Sequence, residues 1–128
     1  MKLLLDTHLL LWAVEDSPRL SNAARALIGS PGNEKIFSAV SLWEITIKSD
    51  RNRTDFVADA EAVRMNLLAN GCKELPILVP HVLYTSKLPA IHRDPFDRLL
   101  VAQALVERLT LLTSDAVVAS YSAAIVRV

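Results

Sequence analysis

The chain has 128 residues, 52% of them hydrophobic, with 14 acidic and 14 basic side chains and one cysteine. That is the size of one ordinary domain with enough apolar content to bury a core, so no second domain is expected. Zero net charge excludes a protein that grips nucleic acid by overall basicity, and Cys72 alone excludes an intramolecular disulfide or a cysteine-based zinc cluster. The apolar runs at 3–5, 9–14 and 99–102 fall far short of the ~20 residues that span a bilayer. An acid follows Lys2 and Leu3 to Leu5 too soon for a secretory signal, so a cytoplasmic protein is expected.

In chain order, Leu3 to Asp6 reads as a short buried strand and His8 to Glu15 as a helix running into the turn Asp16-Ser17-Pro18. Ser21 caps a second helix over Asn22 to Ile28, which stops at Gly29-Ser30-Pro31-Gly32. Lys35 to Ala39 is a second strand, followed by a helix from Ser41 through about Lys48 and a polar break over Arg51 to Thr54. Between Asp55 and Asn70, Phe56, Val57, Ala60, Val63, Leu67 and Leu68 recur at helical spacing, with Asn70-Gly71 as the stop. Leu75 to Val79 gives a third strand and His81 to Lys87 a short helix. Asp94-Pro95 opens a long helix to Arg108, Leu109 to Thr113 is a fourth strand, and Ala124 to Val128 a fifth. Strands alternating with helices argue for an α/β fold with a parallel sheet covered on both faces.

Four acids stand where this pattern passes from strand to loop or helix start: Asp6 in KLLLDTH, Glu44 in SLWEI, Asp97 in RDPFDRLLVAQA and Asp115 in LTLLTSD. A carboxylate straight after a buried run must be paired, metal-bound or at the surface end of its strand, because burying it alone costs several kcal/mol. With right-handed crossovers, Asp6 and Asp115 end strands of the same sense, and Glu44 and Asp97 sit in first helical turns on that edge. Strand ends of this kind are where open α/β sheets bind ligands, and magnesium and manganese favour such hard oxygen donors.

Each acid also has a purely local explanation. Ser41-Leu42-Trp43-Glu44 has the form of a capping box. Asp94-Pro95-Phe96-Asp97 supplies a capping aspartate, a proline at the first helical position and an acid favoured by the helix dipole. Asp115 can cap the helix after the fourth strand, while Asp6 has no evident partner beyond the next helix start. The metal reading therefore rests on the set of four. Other chemistries lack their residues: His8, His81 and His92 have no zinc spacing and read as surface or helix-capping residues. No glycine lies in a phosphate loop, no serine elbow exists, and nothing near Cys72 would activate a thiolate. A phosphoaspartyl phosphatase would need a second Asp at the position held by His8.

Taken together, LLLDTHLLLW at 3–12, SAVSLWEITIK at 38–48, LPAIHRDPFDRLLVAQA at 88–104 and LTLLTSD at 109–115 resemble the PIN-domain family, and especially the VapC toxins of bacterial toxin–antitoxin pairs. HRDPFDR is the most specific string. The chain departs from the family after Lys48, where relatives carry a short Gly-Lys-Leu segment and this sequence reads SDRNRTD.

The resemblance implies a single PIN domain over residues 1–128, a three-layer α/β/α sandwich with a parallel sheet of four or five strands. It also implies a magnesium- or manganese-dependent endoribonuclease with Asp6, Glu44, Asp97 and Asp115 as the metal-binding and catalytic set. One or two ions would activate a water for in-line attack on the scissile phosphate. Thr7, Lys48, Arg93, Arg98 and Thr113 are the expected substrate contacts, positioning RNA without reading its sequence. Lys48 has an equal alternative as an i,i+4 partner of Glu44. The implied partners are RNA, an antitoxin that silences the enzyme, and a second copy in a homodimer. The antitoxin is expected to dock on apolar surface near Leu9, Leu10, Trp12 and Trp43 and to place an arginine among the acids.

Overall fold

The computed structural model describes residues 1–50 and 58–128. Five parallel strands, β1 (Lys2–Leu5), β2 (Glu34–Ser38), β3 (Lys73–Leu75), β4 (Thr110–Thr113) and β5 (Ile125–Arg127), form one sheet in the order β3-β2-β1-β4-β5. The helices are α1 (Thr7–Glu15), α2 (Asn22–Gly29), α3 (Ala39–Asp50), α4 (Ala60–Ala69), α5 (Val79–Tyr84), α6 (Pro95–Glu107) and α7 (Ala116–Ala119), with a 3-10 turn at Thr85–Lys87. No helix among the described residues is long and apolar enough to cross a membrane.

Strand alternation divides the core between the two faces of the sheet. Leu3, Leu5, Phe37 and Leu112 pack with Leu9 and Leu10 of α1, Ala24 of α2, Ile45 of α3 and Val63 and Leu67 of α4. Leu4, Ile36 and Leu111 face the opposite way, against Leu99 to Ala102 of α6 and Val118 of α7. Leucines and a phenylalanine that point to both faces produce the continuous apolar runs typical of parallel strands buried on both sides. From β1 the chain steps outward to β2 and β3, then returns to lay β4 and β5 on the other side of β1. The reversal falls between β1 and β4, which pair directly with Leu5 opposite Leu112, and a crevice opens beyond the carboxyl ends of strands at such a point.

Several boundaries depart from the sequence expectation for identifiable reasons. The third helix begins at Ala39, because Ser38 at the end of β2 accepts a hydrogen bond from Val40 N at 3.0 Å and starts the helix itself. Ser41 is therefore inside the helix and fully buried, not a cap, and Glu44 lies in the second turn. The third strand is Lys73–Leu75, not Leu75 to Val79. Pro76 has no N–H for the ladder, and the Leu78 amide donates instead to His81 Nδ1 at 3.0 Å as α5 begins. The fourth helix starts at Ala60, capped by Asp59 through Glu61 N at 3.0 Å. The expected break over Arg51 to Thr54, and Asp55, Phe56 and Val57 of the expected helix, lie outside the described residues. Gly71, at φ 81, supplies the left-handed residue after α4.

Candidate metal centre

Asp6 is the residue after β1 and the N-cap of α1: its Oδ1 accepts from Leu9 N at 2.9 Å, and its Oδ2 accepts from Thr113 Oγ1 at 2.5 Å. Thr113, the last residue of β4, also accepts from Asp115 N at 3.0 Å. That hydroxyl thus ties the two strand ends flanking the crevice to each other. Asp115 caps α7 through Val117 N at 2.7 Å. A second link joins α1 to α3, where buried Thr7 Oγ1 donates to Ser41 Oγ at 3.0 Å, one turn before Glu44. Asp97 occupies the first turn of α6, whose N-cap Asp94 accepts from Phe96 N at 2.8 Å.

Asp6, Glu44, Asp97 and Asp115 line one cleft of about 380 Å³, joined by Asp94, Ser114, Lys48, His8, Trp12 and Arg19. Glu44 is only 2% exposed, and its Oε1 has no hydrogen-bond partner. Its other oxygen meets Lys48 Nζ at 2.5 Å, and the same ammonium lies 3.8 Å from Asp94 Oδ2. His92 Nε2 sits 3.2 Å from Asp97 Oδ2 and 3.6 Å from Asp115 Oδ2. These three side chains each offer a donor atom within 4.8 Å of the others.

The electrostatics register the same convergence. Burial, then the negative charges of Asp94, Glu44, Asp6 and Asp115, pushes the Asp97 carboxyl up to about 7. Burial also raises the Asp6 carboxyl, opposed by its hydrogen bonds from Thr113 and Leu9. A buried carboxylate oxygen without a donor, in an all-oxygen set with a single imidazole beside it, is a cost that a hard divalent cation would relieve. The residues present fit such an ion.

The expected substrate contacts are distributed differently. Thr7 and Thr113 are buried, with their hydroxyls spent on Ser41 and Asp6. Arg98 donates to Pro89 O, Thr85 O and the Tyr121 hydroxyl, binding the loop before α6 to the rest of the fold. Exposed Arg93 and half-buried Arg98 line a neighbouring, more apolar pocket of about 490 Å³ with Trp43. Lys48 adopts the i,i+4 pair with Glu44 and still lines the cleft. Leu9 and Leu10 are core residues, 1% and 0% exposed, and offer no docking surface, whereas Trp43 is 49% exposed.

Among the residues at the cleft without a site role expected from sequence are His92 and Arg19. His92 shows no zinc spacing and reads from sequence as a surface or helix-capping residue. It reaches the acids through a loop conformation held by His92 N donating to the Tyr121 hydroxyl at 2.7 Å and Asp94 N donating to His92 Nδ1 at 3.0 Å. Arg19 lies in the turn after α1, and nothing local marks it.

Carboxylates gathered at the switch point of a parallel sheet define an α/β fold with an acidic cleft. The model of the PIN domain matches residues 3–123, and the chain belongs to that family. Solved structures share the fold. One similar chain comes from VapBC2 of Rickettsia felis bound to a DNA fragment from their promoter, with a TM-score of 0.68 and 16% identity, covering 100% of this chain and 98% of that one. A second comes from a toxin-antitoxin complex of Klebsiella pneumoniae, with a TM-score of 0.64 and 20% identity, covering 96% and 94%. A third comes from VapBC-1 of nontypeable Haemophilus influenzae, with a TM-score of 0.59 and 19% identity, covering 90% and 87%. A search of curated proteins finds none that matches.

Proposed function

We propose that this chain is a single PIN domain over residues 1–128 that acts as a magnesium- or manganese-dependent endoribonuclease, the VapC-type toxin of a toxin–antitoxin pair. The observation that carries the reading is the Glu44 carboxylate, 2% exposed with Oε1 unpartnered, in a cleft where four acids converge. Capping accounts for Asp115 and half of Asp6, but for neither oxygen of Glu44. When bound, a divalent cation supplies Lewis-acid polarisation of the phosphoryl group and activation of water.

The side chains have separable parts in this scheme. Asp6, Glu44, Asp97 and Asp115 hold the cation. Thr113 keeps Asp6 in one orientation, and Lys48 offsets part of the charge of Glu44 and Asp94. His92 Nε2, 3.2 Å from Asp97 Oδ2, is placed to hold or pass a proton there. No side chain need serve as nucleophile. Incubating the purified protein with single-stranded RNA and either metal should give fragments with 5′-phosphate and 3′-hydroxyl ends. Cyclic 2′,3′-phosphate ends, or cleavage undiminished by chelation, would reject the scheme.

The toxin role draws on structural neighbours that come from VapBC and toxin-antitoxin complexes. An antitoxin arginine entering the cleft would bind the carboxylates as a bidentate cation in competition with metal. A homodimer would cover Val79, Val82 and Leu83 of α5, exposed by 70%, 50% and 64%. The cytoplasm is the compartment that suits an RNA-cleaving toxin with a lone reduced cysteine. Co-expression with the small protein of an adjacent reading frame should suppress cleavage, and excess magnesium should weaken that suppression.

A further inference from the structure

The cleft has a second wall that the metal chemistry does not use. On the α1 side, His8, Trp12 and Arg19 line the cleft together with Lys48 and the acids. His8 is exposed one residue after Thr7, and Trp12 follows one turn later, so helical spacing puts both rings on one side of α1. Their centroids are 5.8 Å apart with planes inclined 51°, so the rings are not stacked face to face. Trp12 is half-buried, anchored by packing against the core while still lining the cleft. Arg19 is exposed on the turn between α1 and α2. Among the described residues, Lys48 and Arg19 are the lysine and arginine that line this cleft; Lys48 is bound to Glu44 and Asp94, and Arg19 is at an exposed position.

An acidic cleft repels a phosphodiester chain, so productive binding needs attraction from something other than the carboxylates. Aromatic rings and guanidinium groups provide it for single strands, by stacking on bases and by charge on the flanking phosphate. We infer that His8, Trp12 and Arg19 form a nucleotide subsite beside the metal centre, in which a base of single-stranded RNA lies against Trp12 and His8 while Arg19 meets an adjoining phosphate. This rests on the ribonuclease reading and adds to it the part of the substrate held on the α1 side. Stacking accepts every base, so the subsite selects unpaired RNA over duplex more than it selects sequence.

The chain has two tryptophans, so a Trp43→Phe variant leaves Trp12 as the sole indole reporter without touching the cleft. This variant is titrated, with magnesium present, against an end-labelled single-stranded 2′-O-methyl oligoribonucleotide whose integrity is checked on a gel. Trp12 emission should change along the same saturation curve as the label anisotropy. His8→Ala and Arg19→Ala, both at exposed positions, should each weaken binding by about three- to tenfold. Arg19→Ala should also lower the slope of log affinity against log salt by about one phosphate contact. KM for RNA cleavage should rise with kcat little changed. If the oligonucleotide binds while Trp12 emission and both variants are unaffected, the subsite is refuted and the ribonuclease reading stands. If the parent protein neither binds nor cleaves RNA, both fall.

Discussion

Two buried polar regions of this molecule solve the same problem in different ways. Between β2, α5 and α6, Ser38 Oγ donates to Gln103 Oε1 at 2.5 Å, and Gln103 Nε2 donates to Pro76 O at 3.2 Å and approaches His81 Nδ1 at 3.3 Å. All three side chains are fully buried, and the Ser38 hydroxyl and Gln103 amide are uncharged groups that pair with each other; His81 Nε2 makes no hydrogen bond but lies 3.5 Å from Glu107. In the acidic cleft, by contrast, like charges face one another, and the Glu44 oxygen that lacks a donor belongs to an acid. The first arrangement fastens helices to the sheet through hydrogen bonds among Ser38, Gln103 and Pro76 O. The second is complete only when positive charge enters from outside. A buried polar group satisfied by its neighbours speaks of the fold, and one left open among like charges speaks of a ligand.

Substitutions can set these two regions apart. The largest effect should come from Asp97→Asn, which removes a metal-holding carboxylate: cleavage should fall by roughly 10³-fold, since a lost contact of this kind removes several kcal/mol of transition-state stabilisation. The metal-free protein should be no less stable than the parent in thermal melts, because one of the repelling charges is gone. Asp6→Asn should likewise abolish cleavage while keeping its cap on Leu9, since asparagine caps as well as aspartate.

A pH series measures the same repulsion. Asp97 holds its proton up to about 7 in the folded chain against an ordinary 3.8, so between those values the folded state binds more protons than the unfolded one. The stability it contributes is fully present below about 4 and is lost as the pH rises through about 7. The loss is a few kcal/mol at most, at ~1.4 kcal/mol per unit. Melting the metal-free protein across that window should show a decline that Asp97→Asn or added magnesium flattens. A parent and variant with parallel profiles would contradict the crowding of charge at Asp97.

Gln103→Leu tests the other region. It leaves the Ser38 hydroxyl and Pro76 O short of a partner, while His81 Nδ1 keeps Leu78 N, and should cost about 1–3 kcal/mol in denaturant unfolding with cleavage per folded molecule close to that of the parent. The smallest effect is expected for Ser41→Ala, which removes the Thr7 link and should cost about 1 kcal/mol. A serine already inside the helix should not be rescued by other capping residues at this position, as a true N-cap would be.

The sequence disclosed the sheet and its carboxyl edge because parallel strands buried on both sides leave continuous leucine runs, and the acids end those runs. Helix starts were legible where a cap is local, as at Ser21 and Asp94. They were misplaced where the cap sits at the end of the preceding strand, as Ser38 does, or where Pro76 cuts an apolar run in two. The four acids could be named, yet their neighbours could not be ranked. Arg98 carries the charge expected of a phosphate contact but spends it on two carbonyls and a tyrosine, and His92 enters the cleft through a loop held from α7's far side by Tyr121. Such assignments depend on contacts between residues distant in the chain, which spacing alone does not encode.

The central claim is that Asp6, Glu44, Asp97 and Asp115 together hold a divalent cation. Isothermal titration of the metal-free protein with manganese, repeated on Glu44→Gln, tests it without any substrate. The account predicts saturable binding by the parent, accompanied by a rise in melting temperature, and binding weakened at least about tenfold in the variant. Equal manganese affinity in parent and Glu44→Gln, or a parent whose melting temperature ignores the ion at millimolar concentration, would contradict it.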